Sequence, residues 1–163
     1  MIWVESWRAS PHARQVADRH YNRQKAGAKQ FVPPGRCLVL RTADHGACWI
    51  TSWPLAEYVQ HAWPGAWVNS LFRNERRDLY RSSELIIDAV AATRAFFGDP
   101  PALGMVSFVD ASKVKRKRDP GRCYRRAGFR HVGFTKAGLY TFQMLPDAMP
   151  APEPHLAMQL EIA

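Results

Sequence analysis

The chain has 163 residues and a formal charge of +9, from 23 Lys and Arg against 14 Asp and Glu. That length suits one domain with a real core, and a content of 47% hydrophobic and 12% aromatic residues excludes a disordered or collagen-like chain. No apolar run approaches the ~18 residues of a membrane span, no signal peptide precedes the first expected helix, and Cys37, Cys48 and Cys123 form no close pair. Scattered cysteines of this kind argue against a disulfide scaffold or a zinc ribbon and point to a reducing, cytoplasmic setting.

Pro11 to Tyr21 reads as a short helix, with Ser10 as its N-cap and Pro11 at its first position. A polar loop from Asn22 closes at Pro33-Pro34-Gly35. Cys37 to Arg41 and Cys48 to Trp53 are partly alternating apolar runs joined by Asp44-His45-Gly46, which predicts a hairpin. Ala56 to Trp63 fits no single pattern, and Pro64-Gly65 ends it.

Ala66 to Glu75 reads as a central strand running into the polar loop Arg76 to Arg81. Ser82 or Ser83 caps a helix in which Leu85, Ile86, Ala89, Val90, Thr93 and Phe97 recur at helical spacing, up to Gly98. Leu103 to Val109 is a buried strand with Asp110 at its end. Gly121 to Ala127 is a short helix, and Arg130 to Phe134 and Leu139 to Met144 form a second hairpin. The order predicts an α/β (α+β) fold: a mixed, mostly antiparallel sheet with helices on both faces. Residues 1–145 make one domain, and 146–163 make a Pro-rich tail, expected to be loosely held. Trp3, Trp7, Trp49, Trp53 and Trp67 are expected in the core.

The charge is concentrated. Lys113, Lys115, Arg116, Lys117, Arg118, Arg122, Arg125, Arg126 and Arg130 are opposed in their segment only by Asp119, whereas the rest of the chain holds 14 basic and 13 acidic groups. Clustered Lys and Arg neutralise phosphates and release counterions, so the segment has the footprint of a polyanion binder. Nucleic acid, a CoA-type phosphate and an anionic membrane all satisfy it.

The strand Trp67 to Glu75, the helix Ser83 to Phe97, the strand Leu103 to Val109 and the run Cys123-Tyr124-Arg125-Arg126-Ala127-Gly128-Phe129 resemble the second half of the GNAT fold of N-acetyltransferases. The resemblance places Tyr124 where such enzymes carry a Tyr that protonates the departing CoA thiolate. One feature departs from that pattern. The loop Arg76 to Ser82 contains no glycine, whereas those enzymes bind the CoA pyrophosphate on a glycine-rich loop at a helix N-terminus. The donor stays open: acetyl-CoA or another acyl donor.

A narrower pattern runs over about residues 10 to 135: His20-Tyr21-Asn22, Arg73 near the end of the central strand, Ser82 or Ser83 opening the next helix, Ser107-Phe108-Val109-Asp110, and Gly121-Arg122-Cys123-Tyr124. Their order is similar to that in the Mom family of phage DNA-modification proteins, a divergent branch of the GNAT fold. That resemblance implies transfer of a carbamoylmethyl or acetamido-type group to adenine N6 in double-stranded DNA, shielding phage DNA from restriction in the bacterial host cytoplasm. It implies Asp110 as acceptor or positioner of the N6 proton and Tyr124 as donor to the leaving group or oxyanion. It implies Arg73 as holder of the donor, with Ser83 and Tyr21 orienting donor or base. Tyr21, Phe31 or Trp63 would stack on the extruded base, and Lys113, Lys115, Arg116, Lys117, Arg118, Arg122 and Arg125 would track the DNA phosphates.

Each residue also has a plainer reading. Asp110 can cap its loop, Ser83 its helix, Arg73 can pair with Glu75 or Glu84, and Tyr124 can be a buried structural phenol. Two rival functions stand beside the first: an N-acyltransferase using acetyl-CoA on a small amine or protein, and a DNA-binding module without chemistry. Asp99-Pro100-Pro101 lacks the following aromatic of adenine methyltransferases, and the zinc-deaminase, P-loop and His-Glu-x-x-His patterns are absent. The six histidines show no ligand spacing, so no metal site is expected.

Overall fold

Asp44 closes the first hairpin: its Oδ1 accepts from Thr42 Oγ1 at 2.6 Å and from the Gly46 N–H at 3.1 Å, while His45 takes a left-handed φ of 59°. The computed structural model describes residues 1–20, 32, 35–113 and 119–157. In chain order it contains β1 (Trp3–Glu5), α1 (Pro11–Asp18), β2 (Arg36–Thr42), β3 (Ala47–Trp53), β4 (Trp67–Asn74), α2 (Ser82–Phe97), β5 (Met105–Val109), α3 (Arg122–Arg126), β6 (Arg130–Phe134) and β7 (Tyr140–Met144). The strands form one seven-stranded sheet in the order β1-β2-β3-β4-β5-β7-β6. Only β4 and β5 run parallel; every other neighbouring pair is antiparallel. This is the mixed, mostly antiparallel α+β arrangement that the order of elements predicts.

Strand alternation feeds two cores. Leu38, Leu40, Ala47, Trp49 and Trp67 point to the side that carries Leu85, Ile86, Ala89 and Val90 of α2 and Tyr124 of α3. Val39, Cys48, Ile50 and Leu71 point the other way, against Ala13, Val16 and Ala17 of α1. Helices therefore cover both faces. Each fully buried Leu or Ile contributes ~2 kcal/mol by leaving water. Two of the buried indoles find partners: Trp49 Nε1 donates to Thr51 Oγ1 (2.7 Å), which meets Thr93 Oγ1 (3.0 Å), and Trp3 Nε1 donates to the Leu85 carbonyl (2.8 Å), whereas Trp67 Nε1 has no hydrogen-bond partner among the described residues.

The structure departs from the sequence reading in four places. α1 ends at Asp18 instead of Tyr21, because Arg19 and His20 leave the helix with their side chains turned toward β4. β1 is an additional strand, too short at three residues to show a period. Trp7 is 43% exposed and so is not a core residue; Trp53 is half-buried, and Trp3, Trp49 and Trp67 are fully buried.

The fourth departure is the tail, which is pinned where the sequence suggests a loose end. Leu156 pairs with Val4 of β1, donating to the Trp3 carbonyl (2.9 Å) and accepting from the Glu5 N–H (3.0 Å). Arg94 of α2 donates to the Pro150 carbonyl at 2.6 Å, and Met149 is buried. Proline removes backbone donors but leaves these carbonyls and the intervening N–H groups to bind. Deleting residues 149–163 is expected to lower the unfolding free energy by about 2–4 kcal/mol; urea unfolding of the shortened chain measures it, and an unchanged midpoint would contradict the pinning.

Candidate active site

The cleft exists because two parallel strands part company. β4 and β5 are in register only at Trp67 with Met105, Val68 with Val106 and Asn69 with Ser107. Just there β4 bulges: Ile50 of β3 faces Leu71 and Thr51 faces Asn69, so Ser70 is the extra residue. Beyond it β4 continues to Asn74 while β5 stays bonded to β7 alone. The space between them is a cleft of about 660 Å³, lined from β4 and its following loop, from the end of β5, from α3, and by His20.

Asn69 sits at the fork. Its Nδ2 donates to the Ile50 carbonyl (3.1 Å) and the Leu71 carbonyl (2.9 Å), spending both amide protons on the bulge. Its Oδ1 accepts from the Tyr124 hydroxyl at 2.5 Å and from the Ser107 hydroxyl at 3.2 Å. All three residues are buried, at 4%, 7% and 2% exposure for Asn69, Tyr124 and Ser107, and all three line the cleft. Tyr124 is further fixed by stacking on Phe142 (5.9 Å between centroids) and by edge contacts with Phe72 and Phe129. α3 reaches this depth because Gly121 lies at φ 79° against Phe142, where an added Cβ would come within 2.1 Å of the ring.

Glu75, which also lines the cleft, ties the end of α1 to the end of β4. Arg19 donates to both its carboxylate oxygens, and Arg73 Nε donates to its Oε2 at 2.9 Å. The Arg19 bond, with that of Arg73 behind it, holds the Glu75 carboxyl below the usual carboxylate range. Arg73 therefore has the Glu75 pairing that the sequence allowed, and it still lines the cleft. Beside it, His20 is pushed down to about 4, chiefly by burial and then by the Arg73 cation, against a hydrogen bond to the Phe72 backbone. It is a neutral imidazole at pH 7. Asp78 on the rim is paired with Arg76 at 2.9 Å, whereas Arg77, also on the rim, makes no hydrogen bond or ion pair with any described residue.

The remaining sequence candidates are distributed as follows. Asp110 is not among the cleft-lining residues. Its carboxylate accepts from the Ser112 N–H (3.0 Å) and hydroxyl (2.6 Å), which with Lys113 at 4.0 Å hold its pKa low. Ser83 sits one position inside α2 and off the cleft; Ser82 lines it, and Asn74 Nδ2 donates to the Ser82 hydroxyl (3.2 Å). α2 starts without a side-chain cap. Lys113 lines the cleft, Arg122 and Arg125 are exposed on α3, and Arg125 pairs with Asp119. Tyr21, Phe31, Lys115, Arg116, Lys117 and Arg118 lie outside the described residues. Trp63 packs with His61 against Phe108, whose ring reaches the cleft.

Sequence reasoning missed Asn69, named Glu75 only as a pairing partner of Arg73, and left His20 and Ser107 as mere parts of motifs. An Asn inside the apolar run Trp67 to Phe72 was a signal, since Asn is disfavoured in central strands unless its amide has work to do. Asn69→Ala should cost roughly 3 kcal/mol, because two main-chain carbonyls lose donors and two hydroxyls lose their acceptor; chemical denaturation reads it, and a loss below about 1 kcal/mol would rule out the hub.

His20 predicts a separate acid effect. With a folded pKa of about 4 against an ordinary 6.5, the unfolded chain takes up the proton first. Stability should fall by about 3 kcal/mol as pH drops from 6.5 through 4, and level off below. His20→Gln should flatten that part of the profile; an unchanged profile would place the titrating group elsewhere.

Comparison of the chain with protein-family models, with curated proteins and with solved structures gives no significant match in any of the three.

Proposed function

We propose that this chain is a GNAT-like transferase that places a carbamoylmethyl or acetamido-type group on adenine N6 in double-stranded DNA, in the manner of a phage anti-restriction modification. The observation that carries this reading is the junction of a buried polar cleft with the start of the basic segment. Lys113 lines the same cavity as His20, Asn69, Ser107 and Tyr124, so a phosphate backbone bound along the segment brings its bases to that cavity. Lys115, Arg116, Lys117 and Arg118 join the backbone contact on the strength of their charge, with Arg122 and Arg125 exposed on the neighbouring helix.

Adenine N6 is a poor nucleophile, because its lone pair is delocalised into the ring, and it needs a proton acceptor. Asp110 is poorly suited to that role: its carboxylate is engaged by Ser112 and its basicity is depressed. Neutral His20 lines the cleft, which Asp110 does not, and is the better-placed base in this reading. A DNA phosphate beside Arg73 would offset the cation that opposes protonation of the imidazole, raising its basicity when substrate arrives. Arg73, Arg77 and Ser82, the last at the uncapped start of α2, all line the cleft. They suit a phosphate-bearing acyl carrier held by side chains in place of glycine backbone. The same residues favour the second reading, an N-acyltransferase using acetyl-CoA on a small amine or protein.

Nucleosides from bacterial DNA should contain a heavier deoxyadenosine after expression of the chain. His20→Ala and Tyr124→Phe should abolish it, and Asp110→Asn should leave it within about tenfold of the parent. Mass spectrometry of the digest decides. Unmodified DNA from a soluble, folded protein would overturn the DNA reading, and a rise of several degrees in Tm with acetyl-CoA would then select the second.

A further inference from the structure

In an unbroken strand His131 and Phe134, three residues apart, would face opposite sides of the sheet. β6 instead skips Val132 in its register with β7: His131 lies opposite Phe142, and Phe134 opposite Tyr140. Gly133, at φ 149°, supplies the backbone that this bulge needs. The extra residue turns His131 and Phe134 to one face, where they meet Tyr140. Ring centroids are 5.0 Å apart for His131 and Phe134, 5.1 Å for His131 and Tyr140, and 4.8 Å for Phe134 and Tyr140. Phe134 is 57% exposed and His131 is exposed, so ring surface is left to solvent. Phe142 joins this cluster to the cleft, lying 5.4 Å from His131 and 5.9 Å from Tyr124.

Cations flank the rings. The Arg125 guanidinium lies 5.9 Å from the centre of the Phe142 ring, and Arg122, three residues back, shares that side of α3. Lys136 is exposed in the turn just after Phe134. From Pro120 to Pro146 the basic residues Arg122, Arg125, Arg126, Arg130 and Lys136 meet no Asp or Glu in the sequence. Exposed rings set between cations match bases with free faces on a phosphate chain. A duplex hides those faces in its own stack, and an apolar partner would bury the cations unpaired.

We propose that His131, Phe134 and Tyr140, flanked by Arg122, Arg125 and Lys136, form a stacking surface for the unpaired bases of single-stranded DNA. The surface adjoins the cleft, where extrusion of a base leaves the strand beside it unstacked. The choice of DNA rests on the function proposed above; the stacking chemistry rests on the rings and cations alone.

Two strands of equal charge isolate the bases: a short oligothymidylate and an abasic deoxyribose-phosphate strand of the same length. Fluorescence anisotropy with the full chain should show about tenfold tighter binding of the oligothymidylate, the scale of one base stacked on an aromatic ring. Phe134→Ala and, separately, His131→Ala should remove most of that preference and leave affinity for the abasic strand unchanged, and Phe134→Trp should keep it. Equal affinities, binding of neither strand, or a preference that survives both alanine substitutions would overturn the inference. Tighter binding of an oligouridylate RNA would overturn the choice of DNA, and capture on phosphatidylserine vesicles that Phe134→Ala abolishes would overturn it in favour of a lipid surface. Failure here is separable from failure of the transferase reading. Modified DNA with no base-dependent binding sinks the stacking surface alone, and base-dependent binding that Phe134→Ala removes, with unmodified DNA, sinks the transferase reading alone.

Discussion

One side-chain amide organises the cleft of this molecule. A β-bulge leaves main-chain carbonyls pointing where no strand partner can reach them, and a parallel pair that stops early leaves a gap beside them. Asn69 answers both problems at once. Its nitrogen serves the bulge, and its oxygen gathers a hydroxyl from β5 and a phenol from α3. Three elements are thus registered to within hydrogen-bond distance at one point, and the polarity of the cavity follows from that registration. An apolar residue at 69 would leave a hole lined with orphaned acceptors; a charged one would oppose the carbonyls.

The second organising contact is electrostatic and belongs to the same cavity. Glu75 collects Arg19 from the end of α1 and Arg73 from β4, which draws the chain out of the helix just before His20 and sets that imidazole on the cleft wall. On a surface such a pair would contribute little. The value of this pair is geometric: the Arg73 guanidinium that steadies Glu75 also adds to the burial that keeps His20 uncharged.

Most of the sheet and both long cores were legible in the sequence, because alternation in β2 and β3 and the helical spacing from Leu85 to Phe97 are local signals that tertiary packing reinforces. The Ser10 cap and the Gly98 stop were legible for the same reason. The site was only partly so. Tyr124 and Arg73 were found from a motif order, and both line the cavity. Asp110 was drawn toward catalysis by its place at a strand end, yet strand ends are also where Asx turns form, and Ser112 two residues on completes one. Asn69 was hidden because its importance depends on a bulge that no periodicity announces. The pinned tail was hidden because proline content reports on backbone donors and says nothing of carbonyls that a distant Arg94 or β1 can use.

The two ends of the sheet are closed off by different means, with consequences for how copies of this chain meet one another. At one margin Leu156 lies along β1 and occupies the backbone groups that another strand would need. At the other margin β6 carries Val132 and Phe134 exposed, an inviting surface for strand addition. Its pairing with β7 slips between His131 and Gly133, and Gly133 adopts φ 149°. That irregularity breaks the straight ladder of N–H and C=O groups on which edge-to-edge growth depends. Among the described residues neither margin of the sheet offers an unbroken ladder, so crowded copies of the chain have little to extend strand on strand.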